Sequence, residues 1–406
     1  MDQATYAIPA IGPVIDQTKS DLTPMRILHG PVNVGNQPLV LSRAERLLGV
    51  ESEVVINYDT WLGYGADRVL GEYGERGIKS LARRTLFGLK APFQYDVLHF
   101  YFGRSFLFFE DKGGLMSLLA PLLAADLRLA RLRGAKVFMT LQGCDVRMAG
   151  NSNKRNAWTM CAEGRCTAFG DCIKTYDAGR RRMVERLLPL CDRVFYLNPE
   201  LGHELPSDAV FLPYSSTWIK DFAVALPRPT GRARIVHAPS NSGIKGTEMI
   251  LAALDRLSSR FDFELIKIEN TPHAEALEIY KSADLAIDQV LAGWYGGYAV
   301  EMMAMGKPVA CYIRGDDTGV VPPQMMAELP LLRLRPDTLD DDLAAILSQQ
   351  AQWPRIGQAA RRFVERWHDP ATIAAAMIRA YRDTNSQFVL EPQVPESTTH
   401  ITNPLA

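Results

Sequence analysis

Short apolar runs alternate along the chain with stretches whose hydrophobic positions recur every three or four residues. This is the pattern of strands and helices in parallel α/β domains. In the first half the runs are "RILHG" (Arg26 to Gly30), "SEVVINY" (Ser52 to Tyr58), "DVLHFYFG" (Asp96 to Gly103), "KVFMTLQG" (Lys136 to Gly143), "RVFYLN" (Arg193 to Asn198) and "AVFLP" (Ala209 to Pro213). Helical spacing lies between several of them, including Leu115 to Leu132 and Ala178 to Leu190. The segment Asp221 to Arg234, with two prolines and a glycine and no periodicity, reads as a linker. The alternation then restarts with "RIVHAP", "FELIKIE", "DLAIDQV", "PVACYI" and "LLRLR". After Leu343 the pattern is almost wholly helical and ends in "DPATIAAAMIRAYRD", where Asp369 is suited to cap a helix with Pro370 in its first turn.

Two doubly wound, Rossmann-like domains are therefore expected, at 25–220 and 233–366, followed by a helix at 367–383. Residues 1–24 and 384–406 read as mobile ends. The chain has 406 residues, enough for two cores of ordinary size. A formal net charge of −1 provides no field to recruit nucleic acid, so none is expected as a partner. The start lacks the basic and apolar regions of a signal peptide, and no uncharged apolar run reaches about 18 residues, so a cytoplasmic protein is expected.

In open α/β sheets ligands bind beyond the carboxyl ends of the strands, where helix starts favour anions. Three loops fit. After the first strand, "PVNVGNQP" offers close backbone approach at Gly30 and Gly35 and hydrogen bonds from Asn33, Asn36 and Gln37, although a polar turn explains the same residues. After the first strand of the second domain, "HAPSNSGIKGTE" places Ser240 in a small polar loop and Lys245 just ahead of a helix beginning near Gly246. A lysine beside unpaired helix amides suits a phosphate. The third loop is "GWYGGYAVEMMAMGKPV", from Gly293 to Val309. If a helix starts near Gly297, Glu301 lies one turn inside it and is suited either to two vicinal ribose hydroxyls or to the helix dipole.

The spacing of this third stretch resembles that of retaining glycosyltransferases of the two-domain GT-B fold, specifically family four. Gly293, Trp294, Tyr295, Gly296 and Glu301, followed by "MMAMGKPV", fall on the positions of that family's glutamate, Gly-aromatic-Gly loop and second glutamate. The preceding "YKSADLAIDQ", with Asp284, matches its Tyr-x-x-Ala-Asp segment, and "IVHAPSNSGIKGTEMILAAL" its lysine-bearing segment. The resemblance implies two Rossmann-like domains facing a cleft, with the last helix returning to the first domain. It implies transfer of a sugar, hexosyltransferase in type, from a nucleoside-diphosphate sugar with retention, and no cofactor. Lys245 would meet the diphosphate with the amides of Gly296 and Gly297, Glu301 would hold the ribose, and Tyr295 would line the site. The acceptor, a glycan, a lipid-linked or a small molecule, would lie against Gly30 to Gln37 and Asp145. A nucleotide-sugar 2-epimerase or a non-catalytic nucleotide or sugar binder shares this fold.

Three departures accompany the resemblance. The family's first glutamate is Gly293 here, its arginine ahead of the lysine is missing from "PSNS", and Gln142 stands in "LQGCD" where many relatives have histidine, with Asp145 kept. With no side chain at Gly293, another group, such as Asp288, would have to contact the donor sugar. Two further clusters have other uses. Cys144, Cys161, Cys166 and Cys172 lie in a polar setting and could hold a structural zinc, although the usual two-residue ligand spacing is absent. The stretch Gly77 to Pro92, with Lys79, Arg83, Arg84 and Lys90 between apolar residues, reads as a solvated helix face or as a peripheral contact with the inner face of a membrane. In "DTLDDDL", Asp337 is expected to cap a helix, which accounts for the acids without a metal.

Overall fold

The computed structural model describes residues 24–59, 63–75, 77–107 and 123–391. Seven parallel strands form the first sheet: β1 (Arg26–Gly30), β2 (Glu51–Ile56), β3 (Arg68–Val69), β4 (Val97–Tyr101), β5 (Lys136–Leu141), β6 (Arg193–Tyr196) and β7 (Val210–Phe211), in the order β3-β2-β1-β4-β5-β6-β7. Five parallel strands form the second: β8 (Ala233–His237), β9 (Phe263–Lys267), β10 (Leu285–Ile287), β11 (Val309–Cys311) and β12 (Leu332–Arg333), in the order β12-β11-β10-β8-β9. The order reverses between β1 and β4 in one sheet and between β8 and β10 in the other. Doubly wound sheets bind ligands at such switch points.

The apolar runs became strands because helices cover both faces of each sheet, leaving little room for polar alternation. Only β3 went unread, being two exposed residues at an edge. The expected helix from Leu115 to Leu132 is described only as Ala125–Arg133, ended by Gly134 at φ 78°; its earlier part lies outside the described residues. The acidic stretch needs one correction. Thr338, not Asp337, precedes the Leu339–Leu347 helix, because Asp342 turns back to accept from the Arg335 amide at 2.7 Å and so sets where the helix starts.

The Pro370–Arg382 helix returns to the first domain. Ile373, Ala374, Met377 and Tyr381 are buried there with Ile27, Leu41, Phe138 and Phe195, and the Asp369 carboxylate caps the helix by accepting from the Thr372 amide at 2.9 Å. Beneath this helix His99 lies 2.7 Å from both the Tyr381 hydroxyl and the Thr140 hydroxyl, and His29 bridges Tyr101 and Glu45 at 2.8 and 2.7 Å. Every member of this chain is buried, so each hydrogen bond replaces water that cannot reach it. The residues after the helix, expected to be free from Thr384, stay on the domain. Arg193 donates to the Thr384 and Ser386 carbonyls at 2.6 Å, and Phe388 packs on Phe195. The remaining expected free ends, 1–23 and 392–406, lie outside the described residues.

Two seams join the domains. In one, Trp294 and Tyr295 pack against Phe211 and Tyr214, and His368 Nε2 accepts a hydrogen bond from the Tyr295 hydroxyl while its Nδ1 donates to the Tyr214 carbonyl. In the other, a strap from Met148 to Cys172 of the first domain buries Met160, Cys161 and Cys172 in the same core as Ile250, Leu254 and Trp353 of the second. Among the described residues no helix is long and apolar enough to cross a membrane.

His368 must be neutral to accept from Tyr295, and burial lowers its pKa to about 4. Burial also lowers the pKa of His99 and of His237. An unfolded histidine titrates near 6.5, so below that pH the unfolded chain binds more protons than the folded one. This contribution to stability is complete above about pH 6.5 and is lost as pH falls through the folded values. For His368 alone the loss by pH 4.5 is about 2–3 kcal/mol. Urea unfolding should show the drop between pH 7 and 4.5, and His368→Gln should remove about that share of it. Equal slopes for both proteins would contradict the account.

Candidate functional site

The second sheet's switch point is bridged by a single carboxylate. After β8, the Asn241 side chain accepts from the Ile244 amide at 3.1 Å and starts the single turn Ser242–Lys245. Gly246, at φ 73°, then resets the chain into the Thr247–Leu257 helix, so Lys245 stands at that junction, with Ser240 exposed at the mouth of the turn. Lys245 Nζ donates to Asp288 Oδ1 at 2.5 Å, and the Gly296 amide donates to Asp288 Oδ2 at 2.8 Å. The Asp288 side chain is wholly buried. Both the cation and one of the amides expected to face a diphosphate are thus held by Asp288, one on each of its oxygens.

Gly296 precedes the Gly297–Ala304 helix, as the spacing predicts, and the first helix amides have no intrahelical acceptor. One turn in, Glu301 Oε1 accepts from His273 Nε2 at 2.8 Å, and the Glu301 side chain is 16% exposed. Its charge adds to burial in raising the phenols of Tyr64, Tyr280 and Tyr298. Tyr295 does not line this site. It is fully buried in the seam, its ring tilted 31° against Trp294 with centroids 4.6 Å apart, because the aromatic residues anchor the loop while the glycines supply its backbone. Gln289 holds the same loop from inside, accepting from the amides of Leu291 and Ala292 and donating to the carbonyls of Trp294 and Tyr312. Its only signal in the sequence is its place directly after a strand and Asp288.

The first domain contributes uncharged groups. A Cβ at Gly30 would fall 2.3 Å from the Val55 carbonyl oxygen, so this glycine serves the approach of β2 rather than a ligand. Beyond it, Asn33 donates to the Gly65 carbonyl at 2.9 Å, Asn36 to the Ser216 carbonyl at 3.3 Å, and Gln37 accepts from the Ser215 amide at 2.7 Å. Gly35, at φ 60°, passes beside Gln142. Asn33 Oδ1, Asn36 Oδ1, Gln37 Nε2, Asn57 Oδ1, Gln142 Nε2 and Ser215 Oγ are buried with no hydrogen-bond partner. All six follow the carboxyl ends of β1, β2, β5 and β7, and buried polar atoms are seldom left unpaired. Asp145 takes a supporting role: its oxygens accept from the amides of Gln142, Gly143 and Val146 at 2.9, 2.6 and 3.1 Å, which shapes the loop that carries Gln142. Burial raises its pKa against the amides of Gln142, Gly143 and Asp145 itself and the charge of Arg147. The halves meet where Ser216 Oγ approaches Gly297, 3.5 Å from the place of a Cβ.

Neither a protein-family model nor a curated protein matches the sequence. Solved structures do match. Sucrose-phosphate synthase from Thermosynechococcus elongatus superposes with a TM-score of 0.56 at 15% identity, over 89% of this chain and 98% of that one. The catalytic domain of starch synthase IV from Arabidopsis thaliana, bound to ADP and acarbose, gives 0.49 at 12% identity over 89% and 99%. A spinosyn rhamnosyltransferase gives 0.42 at 12% over 88% and 100%. With two parallel doubly wound sheets and the returning helix, the first of these decides the architecture. The fold is GT-B.

Within this GT-B chain the four clustered cysteines converge, with Arg147 and Arg180, on one cavity of about 10 Å³ that Ile244 closes from the second domain. Among the described residues no three His, Cys, Asp or Glu side chains are placed to hold a metal ion. Arginines explain part of this: Arg147, paired with Glu200, also donates to Cys144 Sγ at 3.5 Å. The strap presses close on the Ser242–Lys245 turn, since a Cβ at Gly243 would overlap the Arg165 carbonyl oxygen.

Gly293 has its own reason to be glycine. It lies at φ 79°, and a Cβ there would come within 2.7 Å of the Arg314 guanidinium. That group is pinned by Asp317 at 2.8 Å and by the Trp158 carbonyl of the strap at 2.8 Å. Gly293→Glu, which puts back the glutamate of the resembled family, should therefore cost about 1–3 kcal/mol through backbone strain and overpacking. Denaturant unfolding measures it, and a variant as stable as the original chain would show that the position is free.

Proposed function

We propose that the protein is a glycosyltransferase taking a nucleoside-diphosphate sugar as donor, with retention at the anomeric carbon. The observation that carries this reading is the placement of Glu301: a partly exposed carboxylate one turn inside a helix that glycines open at the switch point of a GT-B second domain. There it is suited to accept from two vicinal ribose hydroxyls while the diphosphate lies on the amides of Gly297 and Tyr298. Lys245 meets the diphosphate by exchanging the Asp288 carboxylate for a phosphate oxygen. Charge growing on the leaving diphosphate is then met by fixed amides and one cation in a closed cleft, the arrangement that stabilises a departing anion. No enzymic nucleophile is assigned, since attack from the face the leaving group vacates needs none.

The unpartnered amides favour an uncharged, polyhydroxylated acceptor, such as a glycan, over one recognised through a phosphate. Peripheral contact with the inner face of a membrane is a separate element of the proposal. On the Ile78–Gln94 helix Ile78 is 86% exposed and Leu86 and Phe93 are more than half exposed, with Lys79 and Lys90 exposed alongside. A second reading, a nucleotide or sugar binder without transfer, is favoured by the Lys245–Asp288 pair, which leaves the phosphate position with little net charge.

Calorimetry with UDP, ADP and GDP tests the donor site. Glu301→Ala should weaken the best of the three by roughly 10- to 100-fold, the loss of charge-assisted hydrogen bonds worth about 1.5–3 kcal/mol. Asp288→Asn should strengthen it, since Lys245 then keeps its full charge for the phosphates. Unchanged binding in Glu301→Ala would refute the ribose assignment. Donor turnover with an α-to-α or β-to-β product separates the transferase from the binder.

A further inference from the structure

We propose that His273 governs nucleotide entry by competing with the ribose for Glu301, so that deprotonation of this imidazole opens the site. The proposal rests on the reading of Glu301 as the ribose acceptor. His273 is the first residue of the His273–Lys281 helix, and its Nε2 donates to Glu301 Oε1 at 2.8 Å. That is the kind of hydrogen bond a ribose hydroxyl would make to the same carboxylate, so hydroxyl and imidazole compete for one oxygen. The imidazole is 39% exposed and its outer side is met edge-on by Tyr64 of the first domain, with ring centroids 6.2 Å apart. His273 can therefore swing toward solvent at the cleft mouth without disturbing a packed core.

The groups facing this pair are few. The helix of Glu301 presents Tyr298, the helix of His273 presents Tyr280, and the loop after β2 presents Tyr64. All three are phenols with raised pKa, neutral across the physiological range, so the Glu301 carboxylate is the charge that His273 answers to. Its hydrogen bond raises the imidazole pKa against the opposing effect of burial. The sign follows. Below the raised value His273 is cationic and held on Glu301; above it the imidazole is neutral, the charge that holds it there is gone and a hydroxyl can displace it.

Calorimetric titration with UDP, ADP and GDP between pH 6 and 8.5 tests this, using the chain as it stands, His273→Ala and His273→Asn. The titration of the phosphates is common to all three proteins and cancels in the ratios of their affinities. His273→Ala should bind about tenfold more tightly than the original chain at pH 6, the loss of one competing hydrogen bond, and equally well near pH 8.5. The original chain should release a proton on binding at pH values between the ordinary and the raised pKa of the imidazole, detected as a dependence of the heat on the ionisation enthalpy of the buffer, and His273→Ala should not. His273→Asn, which keeps a donor but cannot titrate, should hold the ratio constant with pH. A ratio for His273→Ala that stays at one, or that shows weaker binding at low pH because cationic His273 attracts the diphosphate, overturns the proposal. Glu301→Ala separates the two failures. If it binds the diphosphates like the original chain, the ribose reading is wrong; if it loses affinity while His273→Ala changes nothing, the ribose reading stands and the competition does not.

Discussion

The Asp288 carboxylate is the constraint on which the rest of the cleft depends. Burying an ion costs several kcal/mol unless its lone pairs are met, and Asp288 meets them with one ammonium and one amide. Those partners come from two different loops, one after β8 and one leading to the Gly297–Ala304 helix, on either side of the switch point. The pair therefore sets the width of the crevice and the direction of the helix start together. It also decides where charge is available. Lys245 is fixed in place, and most of its field is spent on Asp288 until a stronger anion arrives.

Around that carboxylate, apolar contacts make the loop rigid. Trp294 and Tyr295 are buried against the first domain while Gly293, Gly296 and Gly297 run beside them, so the loop is clamped by its large side chains and exposes its backbone. The strap carrying Cys161 and Cys166 adds a second clamp through Arg314 and the turn at Gly243. Domains joined by small polar interfaces are expected to move freely, whereas these seams are aromatic and aliphatic. Preorganised amides stabilise developing charge only if they do not have to be reoriented at the moment of reaction, a condition the two clamps would meet in the proposed transfer.

Much of this was legible in the sequence, for reasons that also mark its limits. Strands buried on both faces write themselves as apolar runs, so eleven of the twelve described strands announced themselves and β3, short and exposed, did not. Spacing located the helix start at Gly297 and put Glu301 one turn inside it. It could not give the direction of a side chain: Tyr295 sits where a site residue was expected yet turns into the seam, and Asp288, read as a sugar contact, turns onto Lys245. Partners distant in sequence were invisible. His273 lies 28 positions from Glu301 at the start of an ordinary amphipathic helix, and nothing in "TPHAEALE" points to a carboxylate in the next crossover. The unpartnered amides are likewise a property of the assembled sheet. Asn57 and Ser215 stand in turns where their residue types are common, and only burial without partners distinguishes them.

The two sides of the cleft differ in how they can select a ligand. Opposite the lysine, the first domain offers amide and hydroxyl groups whose charges are either absent or, as with Asp145 and Arg147, already committed to backbone amides and Glu200. A ligand with both donors and acceptors can satisfy the orphaned oxygens and nitrogens alike. Sugar hydroxyls have that dual character. On the other side, Lys245 is shared with a carboxylate, so on the proposed reading affinity for a diphosphate would come largely from oriented amides. Amides discriminate by position, since their dipoles act at short range and in one direction, whereas an unpaired cation attracts any anion that passes. A cleft built this way gives up some attraction at a distance and gains geometric selection at contact. That exchange explains why a chain lacking the arginine and the first glutamate of the family it resembles still keeps the glycines, the lysine and Glu301: these are the groups whose value lies in where they are held.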